Sequence, residues 1–181
     1  MKIKTSILLF LFILMTCSTV FAAETCVIPG VGILTFPEKI ELMPLQVEHG
    51  ISYQLQVDDN GVWRTAQVFF TYPFTSIDRK NPKNDITKVI SIINAVDSLL
   101  AYKSTNTRLL QETSLNTHAF NDEKEIIRST TQLYTAWAMR TDYYLINNGT
   151  NGMRILALIC EDGNGDYWRP IIANAIAGIQ K

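Results

Sequence analysis

The chain has 181 residues, 16 of them basic and 17 acidic, for a formal charge of −1, and 47% of its residues are hydrophobic. That balance leaves no basic stripe to neutralise a run of phosphates, so nucleic acid is not expected as a partner. Low complexity and any internal period are also absent, which excludes a repeat array.

Lys2 and Lys4 open the chain, an apolar run extends from Ile7 to Met15, and Thr16, Cys17, Ser18 and Thr19 follow. This is the charged, apolar, polar order of a secretory signal, and Val20-Phe21-Ala22 supplies a small-residue site with the cut after Ala22 and Ala23 as the mature N-terminus. The apolar stretch, Ile7 to Ala22 at most, falls short of the roughly 20 residues that span a bilayer, so cleavage is expected rather than a retained anchor. Thr16 is bulkier than the Gly, Ala or Ser that normally precedes a lipidated cysteine, which argues against an anchor at Cys17. The expected organisation is a signal peptide over 1–22 and one domain over 23–181, exported to the periplasm or beyond, with 14 basic and 17 acidic residues and no membrane span. Cys26 and Cys160 survive cleavage as an even pair. An oxidising compartment permits them to bond, so a disulfide across 134 residues of chain is expected, worth about 4 to 5 kcal/mol on the chain-entropy model.

Along the mature chain, Val31 to Phe36 and Ile40 to Met43 are short apolar pieces between Pro29, Gly30, Pro37 and Pro44, the pattern of edge or entry strands. Ile51, Tyr53, Leu55 and Val57 alternate with Ser52, Gln54 and Gln56, which predicts a strand with one buried face. Asn60-Gly61 predicts a tight hairpin turn into a return strand from Val62 to Tyr72. A solvated loop over Ser76 to Asn84 leads to a helix capped by Asn84 or Asp85, with Ile86, Val89, Ile90, Ile93, Val96 and Leu100 as its apolar stripe. Lys103 to Thr131 is polar and reads as a mobile loop with a short helix or strand. Leu133 to Ile146 and Gly152 to Cys160 read as two strands joined by a Gly-rich turn. Asp166 is placed to cap a closing helix with Pro170 in its first turn and Ile171, Ile172, Ala175, Ile176 and Ile179 as its stripe.

These elements predict an α+β fold, a mainly antiparallel sheet packed against two principal helices. Their order, paired strands, helix, further strands and a strand-turn-helix ending from Ala157 to Ile179, resembles the PsbP-like superfamily of small exported sandwich proteins over most of residues 31–180. The resemblance implies a non-catalytic accessory or envelope protein and no particular site residue.

Apparent sites are few. Asp162, Asn164 and Asp166 have the alternating spacing of a calcium loop, yet the sixth and twelfth positions are Tyr167 and Ala173 where glycine and a bidentate glutamate belong, so a turn capping the last helix is the favoured reading. His49 and His118 have no partner at zinc-ligand spacing, no nucleophile elbow or phosphate loop occurs, and no cofactor is expected. Asn148-Gly149-Thr150 fits a glycosylation acceptor, but a plain Asn-Gly turn is the better reading. Trp63, Trp137 and Trp168, with Tyr143 and Tyr144, read as core residues before contact anchors; Tyr143 shares a face with Leu133, Trp137 and Leu145, which leaves Tyr144 as the member expected to be exposed if one is a contact. The resulting expectation is an exported accessory or binding module for an envelope or extracellular protein or ligand. The alternatives are a small hydrolase using Glu112, His118, Asp122, Glu123 and Glu125, or a calcium-stabilised structural domain.

Overall fold

The computed structural model describes residues 23–47, 50–72, 83–102, 107–134, 137–147 and 153–180. The signal segment with Ala22, His49, most of the loop before the first helix and the Asn148 triplet lie outside the described residues. In chain order the elements are β1 (Glu24–Ile28), β2 (Gly32–Phe36), β3 (Glu41–Leu45), β4 (Gly50–Asp59), β5 (Val62–Thr71), α1 (Lys83–Tyr102), β6 (Thr107–Glu112), β7 (Ile126–Tyr134), β8 (Trp137–Asn147), β9 (Met153–Glu161) and α2 (Gly165–Ala177). Short 3-10 turns at His118–Asn121 and Asp162–Asn164 precede β7 and α2.

β1 and β2 form a hairpin of their own, and the other seven strands form one sheet in the order β3-β4-β5-β9-β8-β7-β6, antiparallel at every joint. Among the described residues strand amounts to 54% against 26% helix, which corrects the α+β expectation: the described structure is mostly antiparallel β, with two helices as covers. The excess strand comes from the segment expected to be a loop. β6 and β7 lie there, and runs such as Ser129-Thr130-Thr131 hide them because at the margin of a sheet both faces stay polar and alternation fades. The stretch from Leu133 to Ile146 is likewise shared by two strands, β7 and β8, which pair antiparallel with Tyr134 opposite Trp137, and the sequence between them has no glycine, proline or asparagine to announce the change.

Other local signals hold. Asn60 (φ 56°) and Gly61 (φ 85°) turn β4 into β5, and the Gly61 N–H donates to Asp58 Oδ1 at 2.6 Å. Pro44 sits in β3, an edge strand, where a missing donor is harmless. Gly32 has φ 138°, and a side chain there would strike the Gln180 carbonyl, so only glycine lets the end of the chain pair with Ile33 through bonds of 2.9 and 3.2 Å. Asp166 lies in the first turn of α2, but its carboxylate bonds to Arg169 and makes no cap; the 3-10 turn before the helix leaves Pro170 beyond the first turn.

The register divides the sheet into two faces. On one, Leu55, Val57, Ala66, Val68, Phe70, Tyr144, Ile146, Leu156 and Leu158 meet the β1-β2 hairpin and α2, whose Trp168, Ile172 and Ile176 are buried against them. On the other, Val89, Ile93 and Val96 of α1, with Ala119 and Phe120, cover Phe69, Tyr143, Leu145, Met153, Ile155 and Ala157. Arg154, buried between strand and hairpin, donates to the carbonyls of Thr71 (3.0 Å) and Pro29, fastening the hairpin turn to the sheet.

Candidate functional site

Among the described residues, α1 and its apolar contacts cover only part of the length of the strands they face. Buried apolar residues end at the row formed by Phe69, Ala157 and Tyr143; the next rows toward the end of β9 are Gln54-Gln67-Ile159-Thr141, of which only Thr141 is buried, and Gln56-Thr65-Glu161-Met139. Beyond β9 this face ends in Trp63 on β5 and Trp137 on β8, which are 62% and 61% exposed. Both are in line with the first residues after Glu161, so they flank the point where β9 leaves the sheet, and two strand spacings put their attachment points roughly 10 Å apart. Leu45, Gln54, Thr65, Gln67, Trp137 and Ile159 are among the residues around a depression of about 350 Å³ on this bare half-sheet.

Its polar groups are largely unspent. No hydrogen bond from the side chains of Gln54 or Thr65 to another described residue occurs, and Gln67 uses its Nε2 on Ser52 Oγ at 2.8 Å, which leaves its carbonyl oxygen. Glu161 is exposed among them, and no lysine or arginine lines the depression.

The opposite face carries a charged network at the edge of α2. Asp142 is fully buried on β8, accepts from the Ser129 hydroxyl, and accepts from Arg169 Nε at 2.8 Å and Nη2 at 3.3 Å. That bonding holds the Arg169 guanidinium above its ordinary pKa. Ser129, Thr131, Gln111, Arg140 and Arg169 line a polar cavity of about 220 Å³. Arg169 closes the cavity as much as it lines it, because all three of its nitrogens are committed to Asp142 and Asp166.

The residues singled out from the sequence fall as follows. Tyr144 is 1% exposed, which corrects its assignment as a surface contact; burial raises its pKa, and its hydroxyl has no hydrogen-bond partner among the described residues. Parity counting misplaced it because both faces of β8 are covered here: Tyr143 lies under α1, and Tyr144 under the hairpin and α2. The exposed aromatic of that strand is Trp137, which alternation does place on the face of Tyr143, but past the end of the helix.

One oxygen of each side chain proposed for calcium accepts from an arginine. Asp162 Oδ1 accepts from Arg140 Nε at 2.7 Å, Asn164 Oδ1 from Arg64 Nη1 at 2.8 Å, and Asp166 Oδ1 from Arg169 Nη1 at 3.3 Å. Three guanidinium groups stand beside these oxygens, so this turn is held to β5, β8 and α2 by two ion pairs and by a hydrogen bond from Arg64 to the Asn164 amide oxygen. Among the described residues no group of three or more His, Cys, Asp or Glu side chains is placed to hold a metal ion.

The acidic segment considered for hydrolysis is split between the faces. Glu112 pairs with Arg128, while Glu125 lines a groove beside α2; His118 is exposed on its 3-10 turn, and Asp122 Oδ1 accepts the Lys124 N–H. Glu123 is partly buried. Cys26 and Cys160, the pair expected to bond, are both buried in the cluster under the hairpin and α2 and stand there as free thiols. Burial pushes both up to about 12, which keeps them protonated and unreactive while the fold is intact. Among the described residues no helix is long and apolar enough to cross a membrane.

Comparison with known proteins finds no matching family model, no similar curated protein and no similar solved structure.

Proposed function

We propose that this protein is an exported, non-catalytic binding module whose contact surface is the half of the sheet that α1 leaves bare. The observation that carries this reading is the pair Trp63 and Trp137, each more than half exposed on the same face. An indole can bury 150–250 Å² in a core, roughly, and two of them left solvated beside Met139 and Ile159 form the kind of apolar patch that marks an interaction site. The signal-like order of residues 1–22 supports the exported setting.

Retention of the purified protein on envelope material from the source cells tests the proposal. The double variant Trp63→Ala, Trp137→Ala should keep the wild-type melting temperature, because neither side chain is buried, and should lose retention. Equal retention of wild type and double variant would remove this face as the contact surface.

A further inference from the structure

The chemistry of the bare half-sheet also restricts what can bind there, and this inference rests on the contact-surface reading above. We propose that its ligand is a neutral glycan chain, held by the faces of Trp63 and Trp137 and hydrogen-bonded by side chains of the two rows next to them.

Three properties point to this class. First, the surface is electrostatically selective. Glu41, Asp58 and Glu161 stand on this face by their register positions, and no cation lines the depression, so phosphate-bearing and other anionic ligands meet only repulsion. Second, its hydrogen-bonding groups are the planar amides of Gln54 and Gln67, the Thr65 hydroxyl and the Glu161 carboxylate. Together they can accept from and donate to neighbouring hydroxyls, which suits a ring rich in equatorial hydroxyls. Third, the two indoles are separated by roughly two strand spacings, close to the advance of alternate rings in an extended sugar chain. The C–H faces of such rings are apolar and stack on aromatic planes, while their edges reach the amides of the strands. A second copy of this chain fits less well. Stacking identical faces about a two-fold axis would bring the acidic groups of one against those of the other and bury the Gln54 and Thr65 side chains against like groups.

Titration of the purified protein with hexasaccharides of β-1,4-linked glucose, β-1,4-linked N-acetylglucosamine, β-1,4-linked mannose and α-1,4-linked glucose, read by tryptophan fluorescence and calorimetry, tests the assignment. Saturable binding of at least one sugar is expected. It should weaken about tenfold in Trp63→Ala and again in Trp137→Ala, and less in Gln54→Leu, with no change between low and high salt. No binding to any of the four, or binding indifferent to both tryptophans, would overturn the glycan assignment. A concentration-dependent dimer in sedimentation that the double tryptophan variant abolishes would overturn it in favour of self-association. The two readings fail separately. Envelope retention that needs the tryptophans, with no sugar bound, removes the glycan and keeps the contact surface; retention that ignores them removes both.

Discussion

The two faces of the seven-stranded sheet are built to different ends. On the α2 side the β1-β2 hairpin and α2 together cover β4, β5, β9 and β8, and the cluster beneath them includes Phe36, Phe70, Tyr144 and Trp168, all nearly fully buried. On the other side α1 covers one end of the strands, and the rest is left to Gln54, Thr65, Gln67, Trp63 and Trp137. The same strands serve both, because alternation sends neighbouring residues to opposite faces. Cys160 and Glu161 show it within one dipeptide, the first buried beneath α2 and the second exposed between the tryptophans. Fold stability should therefore be concentrated on one face and tolerance to substitution on the uncovered half of the other.

The comparison is sharpest at Phe70, fully buried on the α2 side of β5. Phe70→Ala should destabilise the protein by about 3–5 kcal/mol, since the hairpin and α2 close the site and it cannot collapse freely. Met139→Ala, on the uncovered half, should cost under about 1 kcal/mol. Denaturant midpoints measure both, and similar losses at the two positions would break the division between faces.

Next in size is Asp142, the fully buried carboxylate at the edge of α2. Asp142→Asn leaves the Arg169 guanidinium with only the exposed Asp166 as its anion. Removing one partner of a buried pair is costly, but Arg169 is partly solvated, so a loss of about 2 kcal/mol is expected. A variant as stable as the wild type would mean that the α2 side tolerates polar change at its margin just as the bare half does.

The thiols test whether the α2 side is closed at all. Cys26 and Cys160 should resist labelling in the native protein and give two modified residues per chain after denaturation without reductant. One disulfide and no free thiol under those conditions would show that the two residues are joined, and that the hairpin is fastened covalently as well as through Arg154.

Much of the covered architecture was legible in the sequence because burial imposes periodicity. Ile51 to Val57 alternate and form β4; Asn60-Gly61 is a hairpin turn; Val89, Ile93 and Val96 repeat at helical spacing and are the buried stripe of α1. Where burial stops, the signal stops. β6 and β7 run at the margin of the sheet with polar residues on both faces, and their strand pairing comes from backbone bonds that side-chain pattern does not encode. The bare half-sheet was hidden for a related reason: Trp63 and Trp137 look like core residues by type, and only the length of α1 relative to the strands leaves them outside. Their separation of 74 positions in the chain gives no hint that they flank the same strand. The turn Asp162 to Asp166 was legible as a turn, but its oxygen spacing gave no sign of the arginines that bind it, Arg64 and Arg140 from distant positions and Arg169 from within the helix.

The smallest effect is expected under α1, where the covered half of that face carries a half-buried acid. Asp97 sits on the helix, and the Tyr143 hydroxyl donates to its Oδ1. Burial raises its pKa from the ordinary 3.8 by more than the Tyr143 bond and nearby Arg128 lower it. The folded protein therefore holds this proton more tightly than the unfolded chain does. The sign follows from linkage: the protonated acid favours the fold, fully so below 3.8, and that contribution is lost as pH rises through the folded-state value. At neutral pH Asp97 is thus a burden on the packing of α1. Asp97→Asn keeps an oxygen for the Tyr143 hydroxyl and removes the charge, so it should melt slightly above the wild type at neutral pH, with the difference vanishing as the solution is acidified below 3.8. Melting curves across that range read the effect directly. If the variant instead melts lower at neutral pH, attraction between Asp97 and Arg128 outweighs the cost of burying the acid, and the covered half of this face is held by charge as well as by the apolar stripe of its helix.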